Sequence, residues 1–199
     1  MKEYVNEFDL AYDPFAAGAP SRDFFAGGER RLLVDQIIEL SLDGNMLAAV
    51  TGPLGSGKTT VGRELCNRYG TDAACVLIPA TLFMNQAQFL DALGRLLPKH
   101  KHIAALPDVA TGVKRLRQYA AELDLEAQSL VLVVDDAHEL SAEVIELIDD
   151  IVSSSSRSGV RAILLGEKSL VNLLLNTLTE SSQANLAQFD LPKIGRAHV

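Results

Sequence analysis

A chain of 199 residues, 48% hydrophobic and 22% charged, has the length of one α/β domain and enough apolar mass for a sizeable core. Its formal net charge of −8 argues against a dominant duplex-binding surface, which needs clustered Lys and Arg to displace counterions, and makes a nucleic-acid partner unexpected. With no Trp and only 6% aromatic residues, the core must rest on Leu, Val, Ile and Ala, as helix-covered parallel sheets do.

Residues 1–28 read as irregular, punctuated by Pro14, Gly18, Pro20, Gly27 and Gly28. The first ten residues lack the basic-then-apolar pattern of a secretory signal, and no apolar run reaches the ~20 residues that span a bilayer. A cytoplasmic domain is therefore expected. Leu33, Ile37 and Leu40 make a helical stripe over Glu29–Leu42, and Asp43, Gly44 and Asn45 a turn. Met46–Val50 is a buried strand. Val61, Leu65 and Tyr69 recur at helical spacing from Lys58 to Tyr69, with Gly70 as the stop.

Cys75–Ile78 reads as a short strand and Gln86–Leu97 as an amphipathic helix halted before Pro98. A loop covers 98–108, and a helix covers Val109–Glu122. Leu130–Val134 is the clearest buried strand and ends in Asp135 and Asp136. Ser141 is a fair N-cap for a helix reaching Val152, and the serine-rich stretch to Gly159 is a polar connection. Arg161–Leu165 is a fourth strand, Leu170–Leu178 a helix, and Phe189–Leu191 a fifth short strand. Strands alternating with helices mean a parallel sheet covered on both faces. The basic residues Arg95, Lys99, Lys101, Lys114, Arg115 and Arg117 read as a solvated face. Cys66 and Cys75 make no metal or disulfide pattern and read as small core residues.

Residues 52–59, Gly-Pro-Leu-Gly-Ser-Gly-Lys-Thr, match the G-x-x-x-x-G-K-[ST] phosphate loop in full, between an apolar strand and an amphipathic helix. Gly52, Gly55 and Gly57 permit backbone shapes and approaches that a Cβ would block. Pro53, Leu54 and Ser56 complete the loop, whose amides, continued by Thr60 in the helix, converge on the phosphates of ATP. Lys58 is expected to neutralise the β- and γ-phosphate oxygens and the Thr59 hydroxyl to ligate Mg²⁺. Asp135, delivered by a buried strand to the edge where this loop opens, is the expected partner carboxylate for the ion, as in a Walker B motif.

Asp136 stands where many hydrolytic P-loop proteins carry a Glu that orients the attacking water. One methylene less places the carboxylate about 1.5 Å farther back, and misplacements of that size can cost ~100-fold. Slow hydrolysis, or a nucleotide-gated switch, is the consequence. His138 and Glu139 read as a solvated helix entry.

These motifs, with Asp13, Pro14 and Phe15, then Phe24 and Phe25, and the run Leu164–Glu167 followed by Ser169 and Leu170, resemble AAA+ ATPases of the ExeA/GspA-like group. The resemblance is to the N-terminal ATPase domain of DamX-type bacterial cell-division proteins and covers about residues 4–193. It implies a five-stranded parallel sheet in the order 5-1-4-3-2 and an adenine held near the N-terminal segment. Phe15 is then a base-pocket residue or packs under the first helix. Gly166 and Glu167 take the sensor-1 place, where such proteins more usually present Asn or Thr. A helical lid with a sensor-2 arginine would follow, and Arg157 and Arg161 are the candidates for an arginine finger. The resemblance further implies a homo-oligomer or protein partner, a downstream membrane span and a peptidoglycan-binding domain.

Residues 194–199 are the translation of ATCGGAAGAGCACACGTC, a short-read sequencing adaptor, so the native chain is expected to continue past Lys193 without them. The expected plan is a segment 1–28 near the base pocket and a nucleotide-binding core 29–193. The leading function is Mg²⁺-dependent ATP hydrolysis that drives a partner or oligomer. The alternatives are a switch with little turnover, a DNA-loading ATPase of the transposition type, and a small-molecule kinase, which would need an acceptor pocket and a basic lid.

Overall fold

The computed structural model describes Glu7 and residues 29–41, 45–97, 108–153 and 159–191. Helix α1 (Glu29–Ser41) leads into strand β1 (Met46–Thr51), helix α2 (Lys58–Tyr69) and strand β2 (Ala73–Pro79). Helices α3 (Gln86–Leu96) and α4 (Val109–Leu125) precede strand β3 (Ser129–Asp135) and a 3-10 turn, Ala137–Glu139. Helix α5 (Ala142–Ser153), strand β4 (Val160–Gly166), helices α6 (Ser169–Thr177) and α7 (Glu180–Ala184), and strand β5 (Leu186–Asp190) complete the described chain.

All five strands are parallel, in the order β2-β3-β4-β1-β5, the order expected. Every residue of β1 and β4, and all of β3 after Ser129, is buried, which is why these strands read as unbroken apolar runs. Alternate residues face opposite layers. Leu47, Ala49, Leu130, Leu132 and Val134 pack with α3, α4, α5 and α6, whereas Met46, Ala48, Val50, Val131 and Val133 pack with α1 and α2. The two layers follow from direction of travel. The chain steps outward from β1 to β2 across α2 and returns through β3 and β4 under the other helices, and right-handed crossovers in opposite directions lie on opposite faces. That reversal leaves a crevice at the carboxyl ends of the strands.

Local signals place most boundaries. Asn85 and Gln88 form a reciprocal capping box at the start of α3, and Asp108 accepts from the Thr111 amide at the start of α4. Helix α4 runs three residues past the expected end and closes on Ala127 at φ 56°, with the Gln128 amide on the Leu123 carbonyl. Strand β5 begins at Leu186, not Phe189, and stops at Asp190; it pairs with β1 from Leu47↔Leu186 onward, and as an edge strand it is nowhere fully buried. Helix α7 and the 3-10 turn were not anticipated.

Cys66 and Cys75 are half-buried rather than core residues, and their sulfurs face each other at 2.7 Å. Helix α2 and strand β2 fold back on one another through Gly70, at φ 51°, and sequence spacing alone does not show that meeting. Of the basic cluster, Arg95 pairs with Asp91 and Arg117 with Asp150; Lys99 and Lys101 lie outside the described residues. Among the described residues no helix is long and apolar enough to cross a membrane.

Candidate functional site

The carboxyl ends of β1 and β4 are level, Thr51 opposite Gly166, and the chain leaves β1 in a tight loop over that edge. The Gly52 amide donates to the Gly166 carbonyl at 3.1 Å. A Cβ on Gly52 would stand 2.6 Å from Ser56 Oγ and 2.9 Å from the Leu191 carbonyl, so the loop closes only on glycine. The Ser56 amide returns to the Pro53 carbonyl at 3.1 Å. Leu54 projects into solvent at the apex, 86% exposed. Gly55 and Gly57 both lie in the left-handed region, and Gly57 is the N-cap of α2 at φ 84°.

A glycine N-cap has no side chain to offer, so the first amides of α2, from Lys58 to Thr60, start the helix without a capping partner. Such a helix start, with its partial positive charge, suits an anion. Lys58 is buried and curls over the loop; its Nζ donates to the carbonyls of Gly52 at 3.0 Å and Pro53 at 3.2 Å. One residue on, Thr59 Oγ1 donates to Asp135 Oδ2 at 2.6 Å. The two expected ion-binding groups, 76 residues apart in the chain, therefore converge on one point. Asp135 is buried, and its Oδ1 accepts from the Asp136 amide at 3.2 Å.

Asp136 is exposed at φ 53°, ψ 35°. Among non-glycine residues Asp and Asn tolerate the left-handed region best, so the backbone here suits the shorter acid. His138 departs from the solvated reading. It lies in the 3-10 turn with its side chain 15% exposed, and its Nδ1 is buried without a hydrogen-bond partner among the described residues. Its Nε2 is 3.5 Å from Glu139 Oε1, and its amide sits 3.3 Å from where a Cβ on Gly166 would be. Gly166 ends β4 beside the loop, and Glu167, which follows it, is half-buried.

Two residues of the site were not singled out from the sequence. Arg30 of α1 is buried behind the loop, where Nη2 donates to the Ser56 carbonyl and Nη1 would lie 2.8 Å from a Cβ on Gly57. Asp190, at the end of β5, accepts from Thr51 Oγ1 at 2.5 Å and fastens the last turn of backbone before the loop. A helical arginine before a phosphate loop carries no spacing signal, and Asp190 is visible only once β5 is paired.

One expectation is not met. Arg161 is no arginine finger. It is the second residue of β4, at the amino edge of the sheet opposite Met46, and is buried there with Nε donating to the Ser41 carbonyl. Burial lowers its guanidinium from the usual value. Arg157 and Phe15 lie outside the described residues, as do residues 194–199.

The loop and its surroundings fit a nucleotide phosphate with a divalent ion. Ser56 Oγ is buried with no hydrogen-bond partner among the described residues, uncapped amides begin α2, a buried ammonium lies over the loop, and a hydroxyl and a carboxylate share one point.

The AAA domain family matches residues 41–174 of this chain. No curated protein sequence matches it. Among solved structures, the Aeropyrum pernix ORC2 protein, in ADPNP–ADP complexes, is 17% identical with a TM-score of 0.62, over 93% of this chain and 50% of that one. Cdc6p from Pyrobaculum aerophilum is 19% identical with a TM-score of 0.60, over 93% of this chain and 48% of that one. Drosophila ORC bound to GC-rich DNA and Cdc6 is 14% identical with a TM-score of 0.60, over 83% and 29% respectively. The chain thus spans about half the length of the archaeal structures it matches, and at these identities the likeness concerns the fold. A match over most of the described core, on a five-stranded sheet of this order, implies nucleotide binding. The chain belongs to the AAA domain family.

Proposed function

We propose that this domain binds ATP with Mg²⁺ and hydrolyses it slowly to move a protein partner or a neighbouring copy of itself. The observation that carries the proposal is the 2.6 Å bond between Thr59 Oγ1 and Asp135 Oδ2 beneath the amino end of α2. A hydroxyl and a carboxylate held together beside a buried lysine form the donor set that a phosphate-bound Mg²⁺ takes. The first amides of α2 and Lys58 Nζ would hold the phosphates, with Gly52–Gly57 shaping the loop and Arg30 bracing it from behind. Bound there, the ion would offset negative charge on the phosphate oxygens. Asp136 is the group to accept a proton from, and orient, an attacking water. Its short reach and left-handed backbone favour low turnover.

The partner and setting come from the resemblance to DamX-type envelope proteins, which rests on the strings around residues 13–15, 50–59, 132–137 and 164–170. On that reading the ATPase works in the cytoplasm for a membrane-associated assembly. Several structures of similar fold are DNA complexes. The charge of −8 and the ion-paired Arg95 and Arg117 support a protein partner instead.

ATP turnover by the wild type, Lys58→Ala and Asp136→Glu tests the proposal. Lys58→Ala should abolish binding and turnover, and Asp136→Glu should raise turnover from a low wild-type rate. An easily measured wild-type rate that Asp136→Glu leaves unchanged or lowers would overturn the assignment of slow hydrolysis. Retained binding by Lys58→Ala would overturn the site.

A further inference from the structure

Cys66 opens the last turn of α2 and Cys75 is the third residue of the edge strand β2. Gly70 reverses the chain between them, so the strand returns beneath the helix that produced it. The Cys75 thiol donates to Cys66 Sγ at 2.7 Å, roughly 0.7 Å longer than a disulfide bond. Both residues are half-buried, packed against the smaller layer of the core yet open to small solutes. Cys66, Cys75 and Arg161 all act electrostatically on Tyr69, whose hydroxyl donates to Ser41 Oγ at 2.7 Å. Thiols, phenol and guanidinium therefore lie near one another on the α1–α2 face, at the end of the sheet away from the phosphate loop.

We infer that Cys66 and Cys75 are a redox-active pair that closes an intrachain disulfide when a peroxide reaches it. Neither cysteine takes part in the nucleotide site, so the inference stands apart from the proposed function.

The shared hydrogen bond and burial distinguish the two thiols. Cys66 accepts the hydrogen bond, which draws its thiol below the usual value, while the same bond and burial push Cys75 up. The thiolate is the nucleophile. Cys66 sulfur attacks one oxygen of hydrogen peroxide; the O–O bond breaks, hydroxide leaves, and the sulfur becomes a sulfenic acid. Cys75 sulfur then attacks Cys66 sulfur, the S–O bond breaks, and the proton lost by Cys75 with the departing hydroxide makes water. Two thiols give up two electrons and two protons, and one peroxide is reduced to two waters. In a reducing pool the pair returns to the dithiol. The bond ties the helix that begins at the phosphate loop to the edge strand of the sheet.

Peptide mapping of the whole chain after treatment with a small excess of hydrogen peroxide tests the inference. Trypsin cuts after Arg63, Arg68 and Arg95, which leaves Cys66 in residues 64–68 and Cys75 in residues 69–95. The expected result is one linked pair of peptides from monomeric protein, separated by dithiothreitol, as the free thiols fall from two per chain to none. Cys75→Ser should leave a sulfenic acid on Cys66 that dimedone traps, and Cys66→Ser should leave Cys75 unreacted. Thiols that persist, separate oxidation without a linked peptide, links only between chains, or dimedone on Cys75 would each overturn it. The wild-type map decides even if a variant fails to fold.

Discussion

Replacing Gly57 by alanine tests how the phosphate loop is held. At φ 84° an alanine costs about 1–2 kcal/mol relative to glycine. Its Cβ would also stand 2.8 Å from Arg30 Nη1, closer than such atoms pack. The guanidinium is the far end of a flexible side chain and can withdraw, but only by releasing the Ser56 carbonyl. A hydrogen bond from a charged donor is worth about 1.5–3 kcal/mol. The lower ends sum to about 2.5 kcal/mol, which is a loss of roughly 60-fold in nucleotide affinity if the loop relaxes out of its binding shape. Anisotropy of a fluorescent ATP analogue measures it. In an Arg30→Ala background the clash is absent, so Gly57→Ala should cost only the backbone component, about 1–2 kcal/mol, or roughly 5- to 30-fold. Affinity within about threefold of the wild type, or the same factor in both backgrounds, would refute the reasoning.

Thr59→Ala and Asp135→Asn should each abolish the extra thermal stabilisation that Mg²⁺ adds to ATP. In the wild type, saturation at about 100 times Kd is worth about 2.7 kcal/mol, or roughly 5–10 °C for a domain of this size. Differential scanning fluorimetry with and without Mg²⁺ reads both. Gly62→Ala should lower Tm by roughly 2–12 °C, because its Cβ would stand 2.7 Å from Leu165 Cδ1 and close to Leu77 and Val133, and overpacking of this kind costs about 1–3 kcal/mol. Burial raises the Tyr69 hydroxyl above the ordinary range of a phenol. The unfolded chain therefore ionises first, and stability present below about pH 10 should fall as pH rises past it. Tyr69→Phe should flatten that decline in thermal melts; an unchanged slope would remove Tyr69 as its source.

Much of the site was legible because its chemistry is local. Gly52–Thr59 is contiguous, and an unbroken apolar run before it and an amphipathic helical pattern after it place Met46–Val50 and Lys58–Tyr69 within a residue of the observed elements. Asp135 was found because a fully buried strand leaves no ambiguity about where its polar terminus emerges. Strand β5 was misplaced by three residues because an edge strand is covered on fewer sides. Gln188 and Asp190 are exposed, and the apolar run that marks a strand is therefore missing.

The sequence by itself determined the parallel α/β class, the loop, and the acids that end β3, since burial and backbone geometry write those requirements into neighbouring residues. Only the tertiary structure decided which distant groups meet. It set Thr59 against Asp135, Arg30 behind Ser56 and Asp190 on Thr51, sent Arg161 to the far edge of the sheet, and turned toward each other two cysteines that read as separate small core residues. Those pairings depend on strand order and on which face each crossover covers. Both are set by packing across the whole sheet, and spacing along the chain does not encode them.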